Sequence, residues 1–341
     1  MIVSSISRYN EGLGCARPRS NETMIILTGG AGFIGSNLLG ALNAKDVTDV
    51  MVVDRVGDSS RNLKDLRFSD LMRPEEFARA IERGILPNRI EAIFHQGACA
   101  DTTCTDGRYM IENNFTFSKL ILQFALANKI PLVYASSAAV YGSSRAFAPS
   151  RENERPLNLY GLSKLAFDNH VRGVVGRSES TVAGLRYFNV YGPRESHKGK
   201  MASMVYQLYQ QLKSSGRARL FEGTGGYNDG EQRRDFVFVG DVVRVNLALA
   251  EGPVRHGVFN VGTGQARSFN DVANIAIARL GAGAIDYVPV PENVVDKYQS
   301  FTQAELSGLR HAGYTENFSS LENGIAQSID AWNQEGSTIG D

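Results

Sequence analysis

From residue 24 onward the chain alternates two kinds of stretch. Short, nearly continuous apolar runs stand at "MIILTGG" (24–30), "VMVVDR" (50–55), "EAIFHQG" (91–97), "IPLVYASS" (130–137) and "TVAGLRYFNV" (181–190). Segments with apolar residues at helical spacing lie between them, "FIGSNLLGALNA" being the first. A strand that is apolar on both faces must be covered on both faces. The alternation therefore predicts an α/β fold, a doubly wound parallel sheet between layers of helices.

Past residue 190 the rhythm gives way to longer loops, among them "FEGTGGYNDGEQRRD" at 221–235. The runs "DFVFVG" (235–240) and "GVFNVG" (257–262) read as returns to the first sheet. The expected organisation is a main domain over 24–191 plus 233–264, and a smaller discontinuous substrate lobe over 192–232 plus 265–335. Residues 1–23 are polar and aperiodic, and read as disordered or as an upstream extension before Met24.

Charge narrows the partners. The chain has 341 residues, of which 43% are hydrophobic, and its 36 basic residues balance 36 acidic ones. Without a basic excess, nucleic acid is not an expected partner. No apolar run approaches the length of a membrane span and the first residues lack a secretion signal, so a cytoplasmic protein is expected. Cys15, Cys99 and Cys104 show no metal-binding spacing. His95, Cys99 and Cys104 straddle a strand end where thiols are commonly buried, so no metal site is expected.

Candidate chemistry starts at "TGGAGFIG", where Gly29, Gly32 and Gly35 punctuate the turn from the first strand into the first helix. Glycines there admit a tight turn and let the backbone approach a pyrophosphate seated on the helix N-terminus. Phe33 and Ile34 belong to the same turn, and Asp54 ends the next strand at the spacing of a ribose-binding acid. Arg55 and Arg61 follow and could neutralise a 2′-phosphate, so NADP is the expected cofactor, with NAD possible. A second group is Ser137 at a strand end with Tyr160 and Lys164 spaced i,i+4 on a predicted helix. A lysine ammonium beside a tyrosine favours the phenolate, which makes Tyr160 a proton acceptor.

With these motifs, 24–335 resembles the extended short-chain dehydrogenase/reductase family, whose members combine a Rossmann-type sheet with a smaller substrate lobe. The resemblance implies proton handling by Tyr160 and Lys164 and hydride handling by a bound nicotinamide. Sugar dehydratases of that family carry an Asp-Glu pair where this chain has Ala138 and Ala139. Epimerisation or simple reduction therefore remains.

Within the family, "RYFNVYGPRESHKGKMAS", "FHQGACADTT", "LFEG", "RRDFVFVGDV" and "YQSFTQAEL" resemble the branch that inverts C6 of an ADP-heptose for bacterial lipopolysaccharide core assembly. That resemblance places a second acid/base residue on Lys198. It implies cofactor contacts at Gln96, Gly97, Ala98, Asn113, Lys164 and Val190. Substrate contacts are implied at Asn189, Lys200, Gln207, Phe221, Glu222, Gly223, Thr224, Arg234 and Tyr298, and a homo-oligomer, often a pentamer. Departures from enterobacterial relatives are Lys200, Gln207, Pro74 and the longer 221–235 loop. A secondary alcohol carbon with no neighbouring carbonyl has no acidic proton, so inversion calls for transient oxidation to a 6-ketone, with bases serving two orientations. Two other readings stay open at this point. A UDP-hexose 4-epimerase would not need Lys198, and a non-catalytic NADP sensor would not need Tyr160 or Lys164.

Overall fold

The computed structural model describes residues 23–55, 57–253, 255–291 and 299–337. Seven strands form the main sheet: β1 (Met24–Thr28), β2 (Val50–Val53), β3 (Asp70–Met72), β4 (Ile90–His95), β5 (Leu132–Ser137), β6 (Val182–Tyr187) and β10 (His256–Val261). Their spatial order is β3-β2-β1-β4-β5-β6-β10 and every pairing is parallel. The order reverses between β1 and β4, which opens a crevice at their C-terminal ends.

Ile26, Leu27, Val52, Ile93, Leu132 and Val133 have essentially no exposed surface, as sandwiched strands require. One face is covered by α1 (Phe33–Ala44) and α7 (Val239–Ala250), whose Leu38, Leu39, Val242 and Val245 join the same core. The other face carries α2 (Pro74–Arg83), α4 (Phe117–Ala127) and α5 (Leu159–Val174), through Phe77, Ile121, Leu122, Phe167 and Val171. Ahead of α4, the short α3 (Gly107–Ile111) runs into one π-helical turn, Glu112–Thr116. The edge strand β3 has no apolar run and is largely exposed, so hydrophobic patterning does not reveal it.

The expectation that both late strands return to the main sheet holds for only one. β10 pairs in register with β6, but β9 (Arg233–Phe238) lies in a separate three-stranded sheet. There it is parallel to β7 (Asn189–Tyr191) and antiparallel to β11 (Ala266–Ser268). The main-sheet edge beside β6 is occupied by β10, and Phe236 of β9 packs with Tyr191 and Phe269 in the core of the smaller unit. That unit also holds paired β8 (Arg217–Phe221) and β12 (Ala284–Val288), with α6 (Met204–Ser215), α8 (Phe269–Leu280) and α10 (Leu321–Ser337). A short α9 (Ser307–His311) leads into α10. The Ser203 hydroxyl accepts from Tyr206 N–H to cap α6, and Gly216, at φ 69°, ends it in the left-handed region.

Candidate active site

The glycine turn closes at the mouth of the crevice. Gly29 has φ 69°, and a Cβ there would stand 2.5 Å from Gly97 N. A Cβ on Gly35 would collide with the Gly29 carbonyl. Backbone from β1, α1 and the end of β4 is thus packed too closely for side chains, leaving N–H groups to face a ligand at the start of α1. Asp54 steadies the turn: its carboxylate accepts from Ala31 N–H at 2.9 Å and from Arg55 N–H at 2.7 Å. Burial raises the Asp54 pKa, against those backbone donors and Arg55.

A groove of about 740 Å³ runs from this turn along the C-terminal ends of β1, β2 and β4. Gly29, Asp54, Arg55, Gly97, Ala98 and Asn113 line it, together with Pro74, Glu75, Glu82 and Lys119. The Arg55 guanidinium is paired with Glu75, both about half exposed. Arg61 does not line the groove, contrary to its expected place beside a 2′-phosphate. It acts on Glu335 of α10, because the 3₁₀ turn Asp58–Leu63 carries it away from the β2 end. Gln96 brings its backbone to the glycine turn, its carbonyl carbon 2.7 Å from where a Cβ on Gly29 would stand. Its side chain donates to Asn246 at 2.9 Å and accepts from Tyr187 at 2.9 Å, under α7 rather than in the groove. Gly32, Phe33, Ile34 and Gly35 form the turn at the groove's end, while Ile34 and Val190 pack on the main core.

Ser137, Tyr160 and Lys164 come together beside the groove. The Ser137 hydroxyl lies beside the Tyr160 phenol, and Lys164 Nζ lies 5.9 Å from the centroid of that ring. Lys164 is 6% exposed and donates to Ala135 O at 2.8 Å. Burial lowers its pKa to about 8, against the neighbouring Asp168. The phenol corrects one expectation: burial raises the Tyr160 pKa despite Ser137. Lys164 donates from its ammonium to a strand carbonyl and lies over the face of the phenol ring.

Lys198 arrives from the other lobe. It sits in the 3₁₀ turn Ser196–Met201 after β7, with Nζ 5.1 Å from the centre of the Phe33 ring at the head of α1. Burial lowers its pKa, against Glu195. Asn62 donates to Arg194 O at 3.1 Å and Asn37 donates to Pro193 O at 3.0 Å, which moors this loop to the dinucleotide turn. Lys200 is exposed; its carbonyl, with that of Ala202, accepts from the Gln207 amide of α6.

The remaining expected substrate residues scatter along the second lobe. Asn189 is exposed at the start of β7, and Phe221 ends β8. Gly223 N–H donates to Asp229 at 2.7 Å, Thr224 O accepts from Tyr227 N–H, and the Glu222 carbonyl accepts from Gln232, so they form a folded loop. Arg234 is 8% exposed and stacks 5.6 Å from Phe269, while Arg233 takes Glu231. The Asp235 carboxylate gathers Thr263, Gly264 and Ala304. Tyr298 lies outside the described residues.

Two buried networks escape sequence reading. Arg186 of β6, with no exposed surface, donates to Asp168 from Nε at 3.0 Å and Nη2 at 2.8 Å. Asp168 also accepts from Tyr134 and Ser136, one turn beyond Lys164 on α5. His95, at the end of β4, faces Thr28 Oγ1 at 2.6 Å and Ser118 Oγ at 2.8 Å. It is turned into the core, away from Cys104. A polar or charged residue inside an apolar strand run is the only sequence signal for either.

The sequence profile described as NAD dependent epimerase/dehydratase family matches residues 25–262. The chain belongs to that family. Two relatives are named ADP-L-glycero-D-manno-heptose-6-epimerase. The one from Alkalilimnicola ehrlichii is 51% identical over 310 residues, 90% of this chain and 97% of its own length. The one from Thiobacillus denitrificans is 47% identical over 322 residues, 89% of this chain and 97% of its own length. The crystal structure of the Helicobacter pylori enzyme of that name superposes with a TM-score of 0.78 at 32% identity, covering 91% of this chain and 96% of that one. A nicotinamide dinucleotide is the family's cofactor, and the residues present fit it. The Gly29 and Gly35 cradle leaves the close backbone approach that a pyrophosphate needs. Among the described residues no helix is long and apolar enough to cross a membrane.

Proposed function

We propose that this protein inverts C6 of ADP-D-glycero-D-manno-heptose to give the L-glycero epimer, through a transient 6-ketone. The observation that carries this is a pair of acid/base candidates on different elements near the dinucleotide turn: Tyr160 of α5 beside Ser137 at the end of β5, and Lys198 of the loop after β7 on the Phe33 ring at the head of α1. The 51% identity to a named heptose epimerase supports the substrate. A nicotinamide dinucleotide, when bound, supplies the hydride acceptor and donor at carbon. The protein's residues then manage the proton on oxygen. One of Tyr160 and Lys198 accepts the C6 hydroxyl proton, Ser137 donates a hydrogen bond to the oxygen, and after the ketone turns its other face the second residue returns a proton. Burial lowers the Lys198 pKa, which brings neutral amine within reach. Lys164 lies over the Tyr160 ring and holds a positive charge beside the reacting group, and Arg234 suits a pyrophosphate by its planar donors.

For the cofactor's finer identity we propose NADP. Arg55 lines the groove at the end of β2, and its pair with Glu75 is half exposed. Such pairs are worth about 0–1 kcal/mol, so a dianionic phosphate can draw the guanidinium away. The enzyme is proposed to work in the cytoplasm as a homo-oligomer. The test is incubation of the purified protein with ADP-D-glycero-D-manno-heptose, following the C6 configuration by proton NMR, with UDP-galactose in parallel. Conversion of the heptose alone supports the reading. Conversion of UDP-galactose alone refutes it in favour of a 4-epimerase.

A further inference from the structure

Glu195 has no exposed surface, yet it lies three residues before Lys198 in a loop whose Gly199 and Lys200 are exposed. Its Oε1 accepts from Gly192 N–H at 3.0 Å and from the Ser203 hydroxyl at 2.8 Å, and its Oε2 accepts from Ser203 N–H at 2.6 Å. Gly192 opens the loop and Ser203 closes it as the cap of α6, so one carboxylate joins both ends. Its carbonyl also accepts from Lys198 N–H at 3.0 Å. A buried carboxylate is costly unless it is both hydrogen-bonded and paired with a charge. Here the donors are backbone and hydroxyl; burial raises the Glu195 pKa, against the charge of the Lys198 ammonium and those donors.

We propose that Glu195 is the positioning residue for Lys198: its carboxylate ties Gly192 to Ser203 across the base of the loop and supplies the ammonium's counter-charge. This rests on the reading that Lys198 handles the proton of the reacting alcohol. The loop contains left-handed Arg194, at φ 69°, and a kink at Gly199, at φ 53°. Conformations of that kind persist where surrounding contacts over-determine them. Lys198 rests on the Phe33 ring, His197 is held by Asn62 and Lys200 is exposed; the titratable groups whose charge acts with that of Glu195 are Lys198 and Tyr206 of α6. Displacing a proton acceptor by about 1 Å can lower turnover on the order of 10²-fold.

The experiment uses Glu195→Gln, which preserves size, and Glu195→Asp, which preserves charge. Competitive acetylation of Lys198, read by mass spectrometry from pH 6 to 11, follows its protonation without substrate, with exposed Lys213 as internal reference. In Glu195→Gln the Lys198 titration moves to lower pH by about one unit or more, the size expected when a desolvated ammonium loses its partner. In Glu195→Asp it stays nearer the wild type. Turnover of the heptose by Glu195→Gln falls at least about tenfold with a smaller change in KM. An unchanged Lys198 titration in a folded Glu195→Gln protein overturns the proposal, as does unchanged turnover. A shifted titration in a protein whose wild type does not epimerise the heptose refutes the proposed function and leaves the Glu195 to Lys198 coupling standing.

Discussion

Acid should weaken this fold through His95. The ring is 3% exposed, and burial, with Lys164 nearby, lowers its pKa to about 3. The hydrogen bonds explain why a proton is unwelcome. Ser118 Oγ donates to Asn114 O at 2.8 Å and so accepts from the Nε2–H of His95. Nδ1 is then left to accept from the Thr28 hydroxyl, whose oxygen accepts Gly97 N–H at 3.1 Å. A second proton would set donor against donor at the strand end beneath the glycine turn. An unfolded histidine binds that proton near pH 6.5, so between about 3 and 6.5 the unfolded chain holds more protons and stability falls as pH falls. At pH 4.5 the loss relative to pH 7.5 is about 2.5–3 kcal/mol, since the unfolded state is then almost fully protonated at this site and the folded state is not. The assay is urea unfolding at both pH values for the wild type and His95→Gln. The variant loses stability at both, about 1–3 kcal/mol for the disturbed hydrogen bonds, but its pH dependence is shallower than the wild type's by about 2.5 kcal/mol. Equal pH dependence in the two proteins would refute the argument.

Lys198→Met should keep fold and dinucleotide binding while heptose turnover drops about 10²–10⁴-fold, and unchanged turnover would remove the two-base scheme. Asp168→Asn leaves Arg186 with only Glu154 as a carboxylate partner and sets an amide against its donors. That should cost about 3 kcal/mol, read as a lower urea midpoint. Because Asp168 raises the Lys164 pKa, the alkaline decline of activity, expected near pH 8 as Lys164 loses its proton, should also move to lower pH in that variant. Glu75→Gln frees Arg55 and removes a charge from the groove, so it should tighten NADP+ relative to NAD+ in direct calorimetric binding; an unchanged ratio would mean that Arg55 does not meet the 2′-phosphate.

Much of this protein is written locally in its sequence. The five apolar runs before residue 191 each contain a strand of the main sheet, because a strand buried on both faces must be apolar throughout. The glycine turn was legible because steric closeness leaves no alternative residue at Gly29 and Gly35. The proximity of Ser137 and Tyr160 follows from a strand end and a helix face. What depends on long-range pairing was not legible. The run at 235–240 reads as a strand just as 257–262 does, and only the tertiary pairing sets β10 beside β6 and β9 in another sheet. Arg55 and Arg61 look equivalent in sequence, yet a 3₁₀ turn leaves one in the groove and carries the other to α10. The Tyr160 phenol is raised rather than lowered, because desolvation and the aim of Lys164 are properties of the packed interior. Composition and spacing determine which residues can do chemistry here. Burial, charge partners and the course of the loops decide which of them face the crevice and in what protonation state, since those energies arise between segments far apart in the chain.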